Sequence, residues 1–230
     1  RVTQMALPPG SVFKTLTALA GIQEGYLTSE TSVDRIGHLY PNNPNKYRCY
    51  RFKHWGSGHG PTNLNDATCR PCNVFFFTAA KEMGPGPIIK WSRRLGFGQP
   101  TGIDLPNEPS GNLPRPRLVD PIQLSDAEPL ESAQHRWREG STLGLAIGQA
   151  ELTTTPLQIV RMMALVANGG TLVTPHVVGE VRERGSMTAQ PIKGQHKKIE
   201  ISERTLHLVR QGLEHVVASP RGTGKRIRLK

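Results

Sequence analysis

Apolar residues recur at helical spacing in two long segments of the chain, and each segment carries a helix-start signal. Residues 155–170, TPLQIVRMMALVANGG, place Pro156 in the first turn and close on an Asn-Gly pair. Residues 202–218, SERTLHLVRQGLEHVVA, begin at Ser202, a favoured N-cap residue, and keep their apolar side chains on one face. Both segments are predicted to be amphipathic helices.

Shorter apolar runs predict three further helices in the first half of the chain. They are expected over a segment that begins at Ser11 and closes near Gly25, over about 64–84 with Asn63 as the cap, and over 88–96 with Gly96 at the end.

The stretches between these helices lack helical periodicity. Residues 28–62 and 97–141 are predicted to be irregular, and the second stretch is too long for an ordinary connection. Residues 173–184, VTPHVVGEVRER, are predicted to form a strand. The pattern indicates a mostly helical chain with a little strand and no internal repeat.

The composition is that of a globular domain with a substantial core. The chain has 230 residues, of which 36% are hydrophobic, and it contains no run of about eighteen apolar residues that could span a membrane. Its first residues include no initiating Met and do not resemble a signal peptide. We therefore expect the chain to be the middle of a longer protein, with any anchor lying upstream.

The net charge is +11, which suits an anionic partner such as nucleic acid, an acidic polymer or a membrane surface. The basic residues are scattered, however, except near residues 115–117 and in the tail at 224–230. No basic-aromatic nucleic-acid motif stands out. We predict that most of this charge lies on a solvated surface and that the chain binds no nucleic acid.

The segment LPPGSVFK at residues 7–14 allows two interpretations of Ser11. Serine after Pro-Pro-Gly is typical of a helix N-cap, but a lysine in the first turn faces the positive end of the helix dipole. Residues at i and i+3 share a helix face, so the Lys14 amine can lie beside the Ser11 hydroxyl. A lysine whose pKa is lowered by burial can then accept the serine proton and activate the oxygen as a nucleophile. The pattern alone leaves both interpretations open.

The three cysteines are Cys49, Cys69 and Cys72, an odd number that argues against a framework of disulfides alone. The pair at 69 and 72 forms a Cys-x-x-Cys motif, which occurs both in redox-active sites and in metal sites. The spacing does not decide between these two roles.

The order of several motifs resembles that of a known family. The motifs are LPPGSVFK, an HG pair at 59–60, PCNVFFFTAAKEMG at 71–84, LGFGQPTGIDLPNEPSG at 95–111, GLAIGQAELTTTPLQIVRMMALVANGGTLVTPHVV at 144–178 and VVASPRGTG at 216–224. Together they resemble the transpeptidase domain of class B penicillin-binding proteins, most closely the penicillin-binding protein 2 group. The resemblance implies the α/β fold of penicillin-binding proteins and serine β-lactamases, here a truncated and mostly helical part of it.

The resemblance also implies an activity and a setting. Members of the family are serine D,D-transpeptidases that cross-link peptidoglycan stem peptides through an acyl-serine intermediate, in cell-wall synthesis and the maintenance of cell shape. It implies an inner-membrane protein with a periplasmic catalytic domain. The implied partners are stem peptides, β-lactams and the membrane proteins of the elongation complex.

The family motifs assign roles to individual residues of this chain. By resemblance, Ser11 is the acylated nucleophile, Lys14 is its base, and Asn73 binds the substrate amide. The family's Ser-x-Asn motif reads Pro71-Cys72-Asn73 here, so the serine hydroxyl that relays protons is absent.

The family's third motif, Lys-Thr-Gly, is also missing, and RGTG at 221–224 is predicted to be a turn. We therefore expect residues 1–230 to be a partial transpeptidase domain that begins just before Ser-x-x-Lys and ends before Lys-Thr-Gly. A second function stays open, namely a catalytically impaired module of the same fold that acts as a binding or scaffold partner in the wall-synthesis complex.

Finally, the resemblance implies a metal site. Some members of the group bind a structural zinc near the active site, and the matching positions here are Cys49, His59 and Cys72, with Asp34 as fourth ligand and His38 as its rival. Two thiolates, an imidazole and a carboxylate are an ordinary tetrahedral zinc set. Two alternatives stay open. One is a disulfide between Cys49 and Cys72, because the periplasm is oxidising, and the other is plain surface histidines with buried thiols. The chemistry itself needs no cofactor.

Overall fold

The computed structural model describes residues 2–116, 137–185 and 187–227. Helices dominate these parts of the chain. They are the 3₁₀ turn η1 (Gly10–Phe13), the α-helices α1 (Lys14–Gln23), α2 (Tyr50–Trp55), α3 (Leu64–Cys69), α4 (Asn73–Met83), α5 (Pro85–Arg94), α6 (Glu139–Ala146), α7 (Pro156–Ala167) and α8 (Glu203–Ala218), and the 3₁₀ turn η2 (Lys225–Ile227). Much of the stretch 97–141 that is predicted to be irregular lies outside the described residues.

The strands within the described residues form three small antiparallel sheets of two strands each. The pairs are β1 (Ser32–Arg35) with β2 (Gly60–Asn63), β3 (Thr171–Val173) with β6 (His196–Lys198), and β4 (Glu180–Val181) with β5 (Gln190–Pro191). The chain therefore combines helix and strand with helix predominating, as its sequence predicts. No helix of the described residues has both the length and the apolar character needed to cross a membrane.

One apolar core is built around α1. Residues 14–21 of this helix are all buried, and Phe13 just before it is completely inaccessible to solvent. The helices α4, α5 and α8 pack around α1, and α4 contributes the completely buried Phe75 and Phe76. The start of α1 is therefore held firmly by the core, which matters because the candidate nucleophile lies there.

The two long helices begin where the sequence predicts. Thr155 caps α7, because its hydroxyl accepts a hydrogen bond from the Gln158 amide while the Gln158 side-chain oxygen accepts one from the Thr155 amide. Ser202 caps α8 by accepting a hydrogen bond from the Thr205 amide at 3.1 Å. Both helix predictions are confirmed.

The prediction of one helix over 64–84 is wrong. The structure has two helices there, α3 and α4, and residues 70–72 separate them. Asn63 does cap the first of them, because its side-chain oxygen accepts a hydrogen bond from the Asp66 amide at 2.9 Å. The break follows from Pro71, which lacks an amide hydrogen and disfavours helical backbone in the preceding Arg70 (φ −120°, ψ 85°).

Residues 28–62 are more regular than predicted. They contain β1, α2 and most of β2. The helix is capped by Cys49, whose sulfur accepts a hydrogen bond from the Phe52 amide at 3.4 Å. The strands escape sequence reasoning because each is only four residues long and leaves no apolar periodicity.

The strand predicted over 173–184 is wrong for most of its length. Only Val173 and the pair Glu180–Val181 are in strands. Between them, the Asp104 carboxylate accepts hydrogen bonds from the two consecutive amides at 177–178, at 2.7 and 2.8 Å. These amides are therefore not available to a sheet.

Candidate active site

Ser11 lies in the 3₁₀ turn that leads directly into α1, and it is exposed. The interpretation of Ser11 as a helix cap is wrong, because the residue at the N-cap of the turn is Pro9 and no side chain caps it. Phe13, two residues further on, is completely buried. The core therefore anchors the turn from one side and leaves the serine accessible.

A second segment holds the serine turn from the other side. The Gly10 amide donates a hydrogen bond to the Gly148 carbonyl oxygen at 2.8 Å, and Leu7 exchanges two backbone hydrogen bonds with Thr154, both at 2.9 Å. Gly148 has a φ of +72°, and a Cβ there would lie 2.2 Å from the Gly10 carbonyl oxygen. Glycine alone permits so close an approach. Sequence reasoning did not identify this supporting role of Gly148.

Lys14, the first residue of α1, is only 4% exposed. Its side-chain nitrogen donates a hydrogen bond to Oδ1 of Asn73 at 2.6 Å and lies 5.5 Å from the centre of the Phe76 ring. Burial lowers the pKa of Lys14 to about 8, against a smaller raising effect of Cys72. A significant fraction of the side chain is therefore a neutral amine near physiological pH, and this amine can accept a proton.

Ser11 and Lys14 line the same cavity, which has a volume of about 230 Å³. Its other walls are mainly apolar and come from α3, α4, α7 and α8; they include Phe76, Met163, Leu213 and Val216. The structure thus brings the predicted nucleophile and the predicted base to one cleft, and Asn73 holds the base. A nucleophile next to a base of lowered pKa is suited to acyl transfer.

Pro71 also lines this cavity. The sequence resemblance assigns to this position a serine whose hydroxyl relays protons. Pro71 is exposed and immediately precedes Cys72, the N-cap residue of α4. Its ring offers neither a hydrogen-bond donor nor an acceptor on the side chain. Lys14 is therefore the one ionisable side chain of the described lining.

Three of the four predicted metal ligands lie close together at the start of α4. One ligand atom from each of Cys49, His59 and Cys72 lies within 4.8 Å of the other two, and the first sulfur is 3.9 Å from Nδ1 of the histidine. Both sulfurs are buried. A tetrahedral zinc with bonds of about 2.0–2.3 Å separates its ligand atoms by roughly 3.3–3.8 Å, so a small contraction of this group fits the ion.

Hydrogen bonding to Cys72 and burial raise the pKa of the Cys49 thiol. In the absence of a metal this thiol therefore stays protonated. A bound zinc ion would reverse that preference, because a coordinated thiol is deprotonated.

The fourth predicted ligand, Asp34, is not a member of this group. It is exposed in β1, opposite Pro61 of β2. His38 is not a member either, although its Nδ1 is buried without a hydrogen-bond partner among the described residues. The identity of a fourth ligand stays a prediction.

Cys69 lies in a different environment from Cys72. Its thiol donates a hydrogen bond to the carbonyl oxygen of His215 in α8 at 3.3 Å. None of the three cysteines, all of which are described, forms a disulfide. The Cys-x-x-Cys pair is therefore not a single unit, since only its second cysteine joins the group at Cys49.

Known proteins resemble this chain along nearly its whole length. A family model described as the penicillin binding protein transpeptidase domain matches residues 1–230. The peptidoglycan D,D-transpeptidase MrdA of Acinetobacter baumannii is 30% identical over 229 residues, which are 99% of this chain and 32% of that protein. The protein of the same name from Escherichia coli K12 is 28% identical over 224 residues, which are 97% of this chain and 33% of that protein. The chain thus spans about a third of the length of the curated relatives it matches.

Solved structures of related proteins share the fold. Penicillin-binding protein 2 of Pseudomonas aeruginosa, in complex with WCK 5153, matches with a TM-score of 0.79 and 28% identity, over 98% of this chain and 48% of that one. Penicillin-binding protein 2 of Helicobacter pylori matches with a TM-score of 0.75 and 28% identity, over 98% of this chain and 38% of that one. The fold class predicted from the sequence is confirmed.

Proposed function

This chain belongs to the family of penicillin-binding protein transpeptidase domains, and we propose that it is the acylating part of a peptidoglycan D,D-transpeptidase. The observation that carries the proposal is the buried Lys14 amine, which Asn73 holds and which lines the same cavity as Ser11. Labelling by a fluorescent penicillin, lost in Ser11→Ala, is the experiment that tests it.

In the first proposed step, Ser11 Oγ attacks the carbonyl carbon of the D-Ala–D-Ala bond of a donor stem peptide. The neutral amine of Lys14 accepts the serine proton as the new C–O bond forms. The C–N bond then breaks, and the terminal D-alanine leaves as a free amine that carries this proton. The donor peptide remains bound as an ester of Ser11.

In the second step, an amine of an acceptor stem peptide attacks the ester carbon. The ester C–O bond breaks, a new C–N bond links the two peptides, and the amine proton returns to Ser11. Asn73 has a second function in this scheme. Its side-chain oxygen accepts from Lys14, so its NH₂ group can donate to a carbonyl oxygen of the substrate.

A second candidate function is a wall-synthesis module that binds substrate but turns it over poorly. Pro71 favours it, since a proline stands where the family has a proton-relaying hydroxyl. A folded protein that binds stem peptides without penicillin labelling would support this function over the first.

We also propose that Cys49, His59 and Cys72 hold a structural zinc. The fit of two thiols and an imidazole to a tetrahedral ion supports this proposal. When bound, zinc supplies binding free energy that joins the starts of α2 and α4 to the segment before β2. The ion has no part in the proposed acyl transfer.

The setting of the protein is likewise a proposal. We place it at the inner membrane with the catalytic domain in the periplasm, together with membrane proteins of the elongation complex. Penicillin-binding protein 2 of Helicobacter pylori, which matches this chain with a TM-score of 0.73 and 30% identity, has been solved as a complex with MreC. That relative supports a comparable partner for this chain.

A further inference from the structure

We propose that a second cavity, next to the Ser11 cleft, binds the carboxylates of the acceptor stem peptide. This inference rests on the proposed transpeptidase function. The cavity has a volume of about 620 Å³ and lies between α2, the link from α3 to α4, and the turn at 221–224. We call it the arginine cavity, because Arg51 and Arg70 both line it.

The charge of the arginine cavity is positive and uncompensated. Within the described parts of the chain, neither Arg51 nor Arg70 forms an ion pair or a side-chain hydrogen bond. Among the residues that the structure describes, no aspartate or glutamate lines the cavity. Guanidinium groups bind carboxylates through paired, charge-assisted hydrogen bonds, so two of them in one concave site suit a ligand with free carboxylates.

Two aromatic rings complete the walls. Tyr50 and Trp55 are each 67% exposed, and their ring centres are 5.8 Å apart. Both belong to α2, which Gly56 ends in the left-handed conformation with a φ of +67°. Exposed rings on a short capped helix offer apolar surface at low entropic cost. They suit the aliphatic body of a peptide between its charged groups.

The position of the cavity favours the acceptor over the donor. Pro71 lines both cavities, so the two are neighbours. The donor's carbonyl carbon must reach Ser11 in the smaller cleft, where Lys14 is the one charged side chain of the described lining. The second peptide must arrive beside the ester, and the arginine cavity provides the neighbouring site for its carboxylates.

The test uses the purified protein and a soluble stem peptide with free carboxylates. Its binding is measured by calorimetry for the wild type, for the double variant Arg51→Ala/Arg70→Ala, and for Arg93→Ala/Arg182→Ala. The control pair removes the same charge from exposed positions that do not line either cavity. We expect the Kd of the peptide to be at least about tenfold higher for Arg51→Ala/Arg70→Ala than for the wild type, and unchanged for the control pair. The same peptide with amidated carboxylates should bind the wild type as weakly as the unmodified peptide binds the Arg51→Ala/Arg70→Ala variant.

The rate of penicillin labelling separates this inference from the proposed function. Acylation by penicillin involves no acceptor, so labelling should be unchanged in the Arg51→Ala/Arg70→Ala variant. A wild-type protein that penicillin does not label would overturn the transpeptidase proposal. Peptide binding would still test the arginine cavity in that case.

Three results with the peptide would overturn the inference. They are the absence of peptide binding by the wild type, equal binding by the two double variants, and equal binding of the amidated peptide. A short single-stranded oligonucleotide that competes for the same arginines with equal affinity would also overturn it, because the cavity would then be a general anion site. The single variants Arg51→Ala and Arg70→Ala, each checked for folding by circular dichroism, keep the test valid if the double variant unfolds.

Discussion

The side-chain nitrogen of Lys14 lies 2.6 Å from Oδ1 of Asn73, and each of these residues begins a helix. Asn73 is neutral, so it fixes the amine without stabilising its positive charge as a carboxylate would. Burial then lowers the pKa of Lys14 to about 8. The pair therefore positions an amine that can lose its proton close to physiological pH.

The first prediction concerns pH. Acylation by penicillin should accelerate as Lys14 loses its proton, with a midpoint near pH 8. Asn73→Asp places a carboxylate beside the ammonium and raises the pKa of Lys14. The midpoint should move to higher pH, and the rate at neutral pH should fall by about tenfold or more. Stopped-flow labelling over a range of pH measures both quantities.

Asn42→Asp is the control for this experiment, because it adds the same charge at an exposed position. Its profile should match that of the wild type. A profile for Asn73→Asp that also matches the wild type would show that Lys14 is not the base.

The second prediction concerns the missing hydroxyl. Pro71→Ser places a hydroxyl in the cavity that Lys14 also lines, and one well-placed acid–base group is worth ~10²–10⁴-fold in rate. Acylation or deacylation should therefore become faster, as followed by labelling and by release of the label. Pro44→Ser, in an exposed loop, should change neither rate. Unchanged rates in Pro71→Ser would mean that water or another group already relays the proton.

The third prediction concerns the support of the serine turn. In Gly148→Ala the new methyl group would lie 2.2 Å from the Gly10 carbonyl oxygen, at a backbone φ of +72°. We expect the free energy of unfolding to fall by on the order of 3 kcal/mol and penicillin labelling to slow. Denaturant titration measures the first effect.

Gly86→Ala is the matched control for Gly148→Ala, because its Cβ would meet no atom within 4 Å and its φ is not positive. This variant should be close to neutral. A Gly148→Ala protein as stable and as reactive as Gly86→Ala would contradict the supporting role of Gly148.

The fourth prediction concerns zinc. Purified protein should contain about one equivalent of zinc by mass spectrometry, and Cys49→Ser and His59→Ala should each lose it together with a lower Tm. Cys69→Ser is the matched control, since it removes a buried thiol that is not in the ligand group. Asp34→Ala and His38→Ala test for the fourth ligand, which is the residue whose replacement weakens zinc binding. A metal-free wild type with a disulfide between Cys49 and Cys72 would contradict the zinc site.

Local signals predicted two of the helix caps correctly, those at Asn63 and Ser202, but not the one at Ser11. Each of these two side chains accepts a hydrogen bond from the backbone amide three residues later. The sequence signal for such a cap therefore lies within a single helical turn. The capping box at Thr155 had the same kind of signal, a Thr-x-x-Gln before an apolar run, although sequence reasoning used only the proline between them. The break after α3 was also readable, because Pro71 disfavours helical backbone before it.

The arrangement of the site could not be predicted from the sequence without the fold. The close approach of Gly148 to Gly10 joins residues far apart in the sequence, and no periodicity encodes it. The same holds for Gln158, whose side-chain NH₂ donates to the carbonyl oxygens of Gln99 and Ser110. The spacing of Ser11 and Lys14 indicated the pair and family resemblance assigned their roles and that of Asn73, whereas the burial that depresses the pKa of the lysine is determined only by packing.

The most direct test of the account is the site of penicillin attachment. Protein treated with a penicillin should gain one adduct, and tandem mass spectrometry of its peptides should place the added mass on the Ser11 side chain. Ser11→Ala should gain none, while an alanine at exposed Ser57 should leave the adduct unchanged. An adduct on any other residue, or one that persists in Ser11→Ala, would contradict the assignment of Ser11 as the nucleophile.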